Sequence, residues 1–136
     1  VEEQVAEKTI QAYPELEKAS GFEDLPSFIH SLAKPRIIFM MIKAGKETDR
    51  FIDKMLPHLD AGDILIDGGN SHYEDTKNRI AYLEKQQIHF IGTGVSGGEK
   101  GALYGPSIMP SGSYEAYKKI EHLLYSIAAK DKNGNP

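Results

Sequence analysis

The sequence contains no cysteine. That absence excludes a disulfide framework, a thiolate metal site and a cysteine nucleophile, and it fits a reducing compartment such as the cytoplasm. No apolar run approaches the roughly 18 residues that a membrane-spanning helix needs, so no membrane partner is expected. There is no long basic run, and the formal net charge is -4. This balance argues against nucleic acid held on a basic face. The first residues, Val1-Glu2-Glu3-Gln4, carry no basic region, which speaks against a signal peptide. Nor is there an initiator methionine, an opening that predicts a processed, trimmed or partial chain. Low-complexity sequence is also missing, apart from the polar end Asp131 to Pro136, expected to fray or lead onward. What remains is ordinary for one soluble globular domain with a real core: 136 residues, 40% hydrophobic and 26% charged.

Hydrophobic spacing predicts an alternation of elements. Residues 1–12 read as a helix with Val1, Val5 and Ile10 inward, stopped near Pro14. Asp24-Leu25-Pro26 reads as a helix start, and Leu25, Phe28, Ile29 and Leu32 share one helical face up to Pro35. Arg36 to Ile42 is an almost continuous apolar run, the mark of a strand covered on both faces. Phe51, Ile52, Met55, Leu56 and Leu59 make the next helical face, with Pro57 a local irregularity. Asp60 to Asp63 is a turn, and Ile64-Leu65-Ile66 a second buried strand. Tyr73, Ile80 and Leu83 mark a third helix, and Ile88 to Ile91 a third strand. Ser107-Ile108-Met109 suggests a short fourth strand. Tyr114, Tyr117, Ile120, Leu123 and Leu124 face inward on a last helix, with Ser126 to Ala129 a final strand. This pattern predicts an α/β fold: a Rossmann-like, doubly wound, mainly parallel sheet with flanking helices.

In such sheets ligands sit at the carboxyl ends of the strands. The loops there are Lys43-Ala44-Gly45, Asp67-Gly68-Gly69-Asn70-Ser71 and Gly92 to Gly98. Within the last, Gly92-Thr93-Gly94-Val95-Ser96-Gly97 spells the G-x-G-x-x-G dinucleotide fingerprint. Its context is wrong, because it follows the third strand rather than the first and is followed by too short and glycine-rich a stretch for a crossover helix. Glu115 has the offset of a ribose-binding acid but lies in a helical segment. Ser96-Gly97-Gly98 makes better physical sense as an anion cradle, since consecutive glycines let backbone N–H groups approach an oxyanion and the serine adds a donor. A tight turn feeding a short helix is the plainer alternative. Asn70 could cap the helix that starts near Ser71. Asp67 reads as a turn residue rather than an acid catalyst, and His72 and His89 as surface histidines without metal-ligand spacing. Tyr114 and Tyr117 read as packing residues.

Four segments, in order and at matching spacing, resemble the 6-phosphogluconate dehydrogenase family: "IKAG" (42–45), "GDILIDGGNSHYEDT" (62–76), "IGTGVSGGEKGALYGPSIMPSG" (91–112) and "IAAK" (127–130). The resemblance is strongest from Arg36 to Lys130. It implies the oxidative decarboxylation of 6-phosphogluconate to ribulose 5-phosphate in the pentose phosphate pathway, with NADP, or alternatively NAD, as the cofactor, in a cytoplasmic homodimer. It also implies that residues 1–136 are the latter portion of the NAD(P)-binding domain. The first β-α-β unit and the helical domain with the family's catalytic lysine and glutamate are then absent, no residue here is catalytic, and the piece alone is inactive. By the same resemblance Ile42, Lys43, Ala44 and Asn70 face the cofactor, and Asn70, Ser96, Gly97 and Gly98 face the substrate. Two other readings remain open: another β-hydroxyacid dehydrogenase acting on a small unphosphorylated hydroxy acid, and a truncated, non-catalytic binding module.

Overall fold

A computed structural model of the chain describes residues 5–136. Its sheet has four strands in chain order: β1 (Ile37–Met40), β2 (Ile64–Asp67), β3 (His89–Ser96) and β4 (Ser107–Gly112). β1, β2 and β3 pair in parallel, with Ile38 opposite Leu65 and Leu65 opposite Phe90, whereas β4 returns antiparallel to β3. Side chains alternate across a strand, so the sheet feeds two cores. On one face Ile38, Met40, Leu65 and Phe90 meet Ile29 of α2 (Leu25–Ser31), Ile52 and Met55 of α3 (Lys46–Met55) and Leu83 of α4 (Tyr73–Glu84). On the other, Ile64, Ile66 and Ile91 meet Ala116, Ile120 and Leu124 of α6 (Tyr114–Ile127). Helices therefore cover both faces of a mainly parallel sheet, as the alternation predicts.

Local chemistry sets the boundaries. Asp24 accepts a hydrogen bond from the Ser27 amide at 2.8 Å and caps α2, with Pro26 in the first turn. Ser113 caps α6 in the same way. Pro57 turns the end of α3 into a 3-10 segment, Leu56–His58. At the amino end of the sheet the buried Arg36 donates to Asp63 at 2.8 Å and Asp60 at 2.7 Å, while its own amide donates to Asp63 at 2.7 Å. A buried guanidinium needs such partners, and the network pins β1 to the start of β2.

Several expectations are corrected. β1 is shorter than the apolar run: Arg36 turns its side chain into the ion pair, and Met41 is 63% exposed. Ser126 to Ala129 is no strand, because α6 continues to Ile127 and Ala128 still bonds back to Leu124, so that Ala129, donating to the Pro106 carbonyl, makes a single bond and no ladder. The inward face of α6 is the i, i+4, i+8 row Ala116, Ile120 and Leu124, which leaves Leu123 on the rim and Tyr114 outside. Tyr73 likewise sits exposed at the start of α4. The first helix is α1 (Val5–Ala12), but it has no buried residue; Ile10 is half-buried and Val5 exposed, and the expected Val1 contact lies outside the described residues. Most of the expected loop from Gly92 is strand, since pairing with β4 carries β3 on to Ser96.

Candidate functional site

Strand direction brings three segments to one end of the sheet: residues 41–45 after β1, 68–72 after β2, and 96–98 after β3. The first two touch. A Cβ on Gly69 would lie 2.5 Å from the Ile42 carbonyl oxygen and 3.5 Å from the Ala44 nitrogen. Only a glycine allows that approach.

The second and third segments are stitched by one side chain. The Asn70 carboxamide donates to the Val95 carbonyl at 2.9 Å and accepts from the Val95 amide at 3.0 Å. Asp67 pairs with Gly92 in the β2–β3 register, and Asn70 and Val95 are each three residues further on. Asn70 thus stands in register with Val95 and completes with its side chain a rung that its backbone, at φ 55°, does not make. Asparagine tolerates this left-handed conformation better than most residues. The helix-capping alternative falls away: His72 occupies the N-cap of α4, its Nδ1 accepting from the Glu74 amide. The clip uses one donor and one acceptor of Asn70. One N–H and one lone pair remain for a ligand, and the residue is exposed.

Asp67 is a structural carboxylate, in keeping with the turn reading. It is buried and accepts from the Gly69 amide at 2.9 Å and the Ser71 hydroxyl at 2.6 Å. Lys43 is exposed, and its carbonyl accepts from the Thr48 hydroxyl at 3.1 Å. Ser96, Gly97 and Gly98 are exposed at the mouth of the short α5 (Gly98–Tyr104). Gly97 has φ 142° and would place a Cβ 2.7 Å from Gly101 Cα, whereas Gly98, at φ 55°, faces open space. Sequence reasoning missed Arg79. This buried residue of α4 reaches Asp49, Asp67, Ser71 and the Gly45 carbonyl. A readable signal existed, for Arg79 interrupts the inward row Thr76, Arg79 and Leu83 with a charge.

The fingerprint spelling also finds its explanation. Gly92 and Gly94 are alternate strand residues on one face of β3. A Cβ on Gly92 would lie 2.5 Å from the Thr76 methyl, and one on Gly94 3.1 Å from the Met109 methyl. These glycines admit neighbouring side chains to the sheet rather than a pyrophosphate. Two cavities reach the site. One of about 390 Å³ is walled by Phe39, Met41, Val95, Ala102 and Ile127, with Ser96, Gly97 and Gly98 as its polar side. Another of about 430 Å³ includes Asn70, Ser71, Lys77 and Ser111. Apolar walls with a few polar groups suit a flat ring carrying a polar substituent.

Comparison with known proteins agrees with the geometry. Residues 1–134 match the family model described as the NAD binding domain of 6-phosphogluconate dehydrogenase. The decarboxylating 6-phosphogluconate dehydrogenase of Staphylococcus aureus strain N315 is 58% identical over 110 residues, 81% of this chain and 24% of that protein. The enzyme of the same name from Aggregatibacter actinomycetemcomitans is 53% identical over 116 residues, 85% of this chain and 24% of that one. Among solved structures, Plasmodium falciparum 6-phosphogluconate dehydrogenase, studied in its apo form, with its cofactor NADP+ and with its substrate 6-phosphogluconate, superposes with a TM-score of 0.86. That pair is 37% identical, over 96% of this chain and 28% of the other. The chain thus spans about a quarter of the length of the curated relatives it matches. With the fold, the clipped loops and the family model in agreement, the chain belongs to the family of the NAD-binding domain of 6-phosphogluconate dehydrogenase.

Proposed function

We infer that these residues supply the cofactor- and substrate-facing loops of a decarboxylating 6-phosphogluconate dehydrogenase that uses NADP. The observation carrying this reading is the Asn70 clip, which joins the DGGNS segment to Val95, the residue before Ser96-Gly97-Gly98, while Gly69 presses on residues 42–44. Three segments that could each face a ligand alone are thereby held as one surface. The apolar wall of the smaller cavity, Phe39, Met41 and Val95, fits a nicotinamide ring. Ile42, Lys43 and Ala44 border the cofactor, and the free N–H and lone pair of Asn70 reach its carboxamide or a sugar hydroxyl. The Ser96 hydroxyl and the N–H groups of Gly97 and Gly98 hold the sugar acid.

The bound cofactor supplies a hydride acceptor. The task of this chain is orientation: it fixes the sugar acid so that the C3 hydrogen faces the ring and excludes alternative poses, which is the usual contribution of a protein to cofactor chemistry. Loss of hydride from C3 and of the proton of its hydroxyl leaves a 3-keto acid, which releases carbon dioxide to give an enediol that is then protonated on carbon. Residues 1–136 form the latter portion of the cofactor domain in this reading. The proton-transferring lysine and glutamate belong to the remaining length of the enzyme, which acts as a cytoplasmic homodimer.

The test uses a full-length enzyme, meaning a polypeptide of the relatives' length that contains these residues. It should form NADPH with 6-phosphogluconate and should prefer that substrate to 3-hydroxyisobutyrate, while the 136-residue chain alone forms none. Preference for 3-hydroxyisobutyrate would sink the substrate assignment, and turnover by the short chain would sink the division of labour.

A further inference from the structure

We propose that Arg79 is the positioning residue of this site: it sets residues 41–45 and 67–71 against one another and so governs the relative placement of the cofactor-facing and substrate-facing groups. The kinetic part of this proposal rests on the function proposed above; its geometric part does not. Arg79 projects from the inner row of α4 and is 4% exposed, so it acts through its neighbours rather than on a ligand. Nε donates to Asp49 Oδ1 at 2.7 Å, Nη1 to Ser71 Oγ at 2.8 Å and Asp67 Oδ2 at 3.3 Å, and Nη2 to the Gly45 carbonyl at 3.0 Å. One rigid fork therefore ties the turn after β1, the first turn of α3 and the loop after β2.

A plainer role would be neutralisation of the buried Asp67. The distances decide against that as the whole account, because the Asp67 contact is the longest of the four, and the shorter ones go to the two loops and α3. Each loop is fastened onward. Thr48 holds the Lys43 carbonyl. Ser71 bridges Arg79 to Asp67, whose other oxygen holds the Gly69 amide. Asn70 lies between those two anchored residues and carries the register to Val95 and hence to Ser96. A lysine at 79 keeps a positive charge beside Asp67, but its three N–H groups radiate from one atom and cannot span the separated partners that the guanidinium reaches from three nitrogens.

The experiment compares the full-length enzyme with its Arg79→Lys variant, alone and combined with Asn70→Asp. A cooperative melt somewhat below the parent's is expected, since buried donors are lost, with kcat, measured well below that melt, lowered about tenfold or more, as small misplacements of reacting groups cause. The KM for 6-phosphogluconate should move less than about threefold, the signature of an interaction realised in the transition state. The double variant should lose less than the product of the single losses, since both changes act on the same loop. In both proteins without ligand, amide exchange should quicken at Ala44–Gly45 and Gly69–Ser71 together in Arg79→Lys, while Leu83 and Phe90 keep their protection. Parental kinetics with parental loop exchange would overturn the proposal. So would faster exchange throughout the core, which would make Arg79 a fold residue only, or single losses that simply multiply. If the parent enzyme does not reduce NADP with 6-phosphogluconate, the functional reading fails, and the exchange comparison alone decides the role of Arg79.

Discussion

Asn70 combines two properties that are separable by mutation: a left-handed backbone and a carboxamide that both donates to and accepts from Val95. Asn70→Asp keeps size and backbone tolerance but replaces the donor with an oxygen facing the Val95 carbonyl. The lost hydrogen bond should cost about 1 kcal/mol of stability. Ser96 and its two glycines lose their fixed register, so kcat/KM of the full-length enzyme should fall about tenfold or more. Thermal melting and steady-state kinetics check the pair of effects, and unchanged kinetics would show that the clip does not organise the site. At this scale the sequence was partly legible. Ser96 is conspicuous as a hydroxyl beside consecutive glycines at a strand end, whereas Asn70 alone reads as a helix cap and takes a ligand-facing role only through the family resemblance. The clip was not legible, since it depends on a register between two strands 25 residues apart, which no local spacing encodes. Arg79 shows as a charge in an inward row, but its partners Asp49, Asp67 and Gly45 were hidden for a related reason, since they lie 12 to 34 residues away.

Among the elements, α6 is held by a narrow apolar row and flanked by polar contacts on either side. Tyr117 is half-buried beside it, and burial, then the nearby Glu121 carboxylate, pushes the phenol up to about 12 from 10.0. The sign follows from which form is favoured. A folded-state value above the unfolded one means that the protonated phenol stabilises the fold, fully so below 10.0, with that contribution lost as pH rises through about 12. Ultraviolet titration of the native protein should show a phenol ionising near 12, and Tyr117→Phe should abolish that step. If the step survives the substitution, the shifted group is another tyrosine. Elements were the most legible level of the sequence, because the 3.6 and 2 residue periods are set by local geometry. Their ends were not. α6 takes in Ser126 and Ile127, the first half of the stretch read as a last strand, and β3 runs through glycines that look like a loop, because the partner strand β4 satisfies their backbone.

For the whole molecule, the parallel arrangement was readable from alternation alone, while the reversal of β4 was not, since nothing local marks a strand's direction. The sheet begins with β1, whose outer edge pairs with no strand among the described residues. An open edge is a template for further pairing, and the exposed Met41 lies at its end. The 136-residue chain on its own should therefore self-associate, its weight-average mass in sedimentation rising with micromolar concentration. A concentration-independent monomer that melts cooperatively would contradict this. Both ends of the sheet also limit changes of length. Asn70 must fall opposite Val95, so the span Gly68 to Asn70 has a fixed count of residues, and a single inserted residue would carry the carboxamide past its partner. The turn Asp60 to Asp63 at the other end is counted too: both carboxylates meet Arg36, and the Gly62 amide donates to the Gln87 carbonyl at 2.9 Å. Insertions and deletions in related sequences should therefore be absent between Asp60 and Asp63 and between Asp67 and Asn70, even where individual residues there have changed.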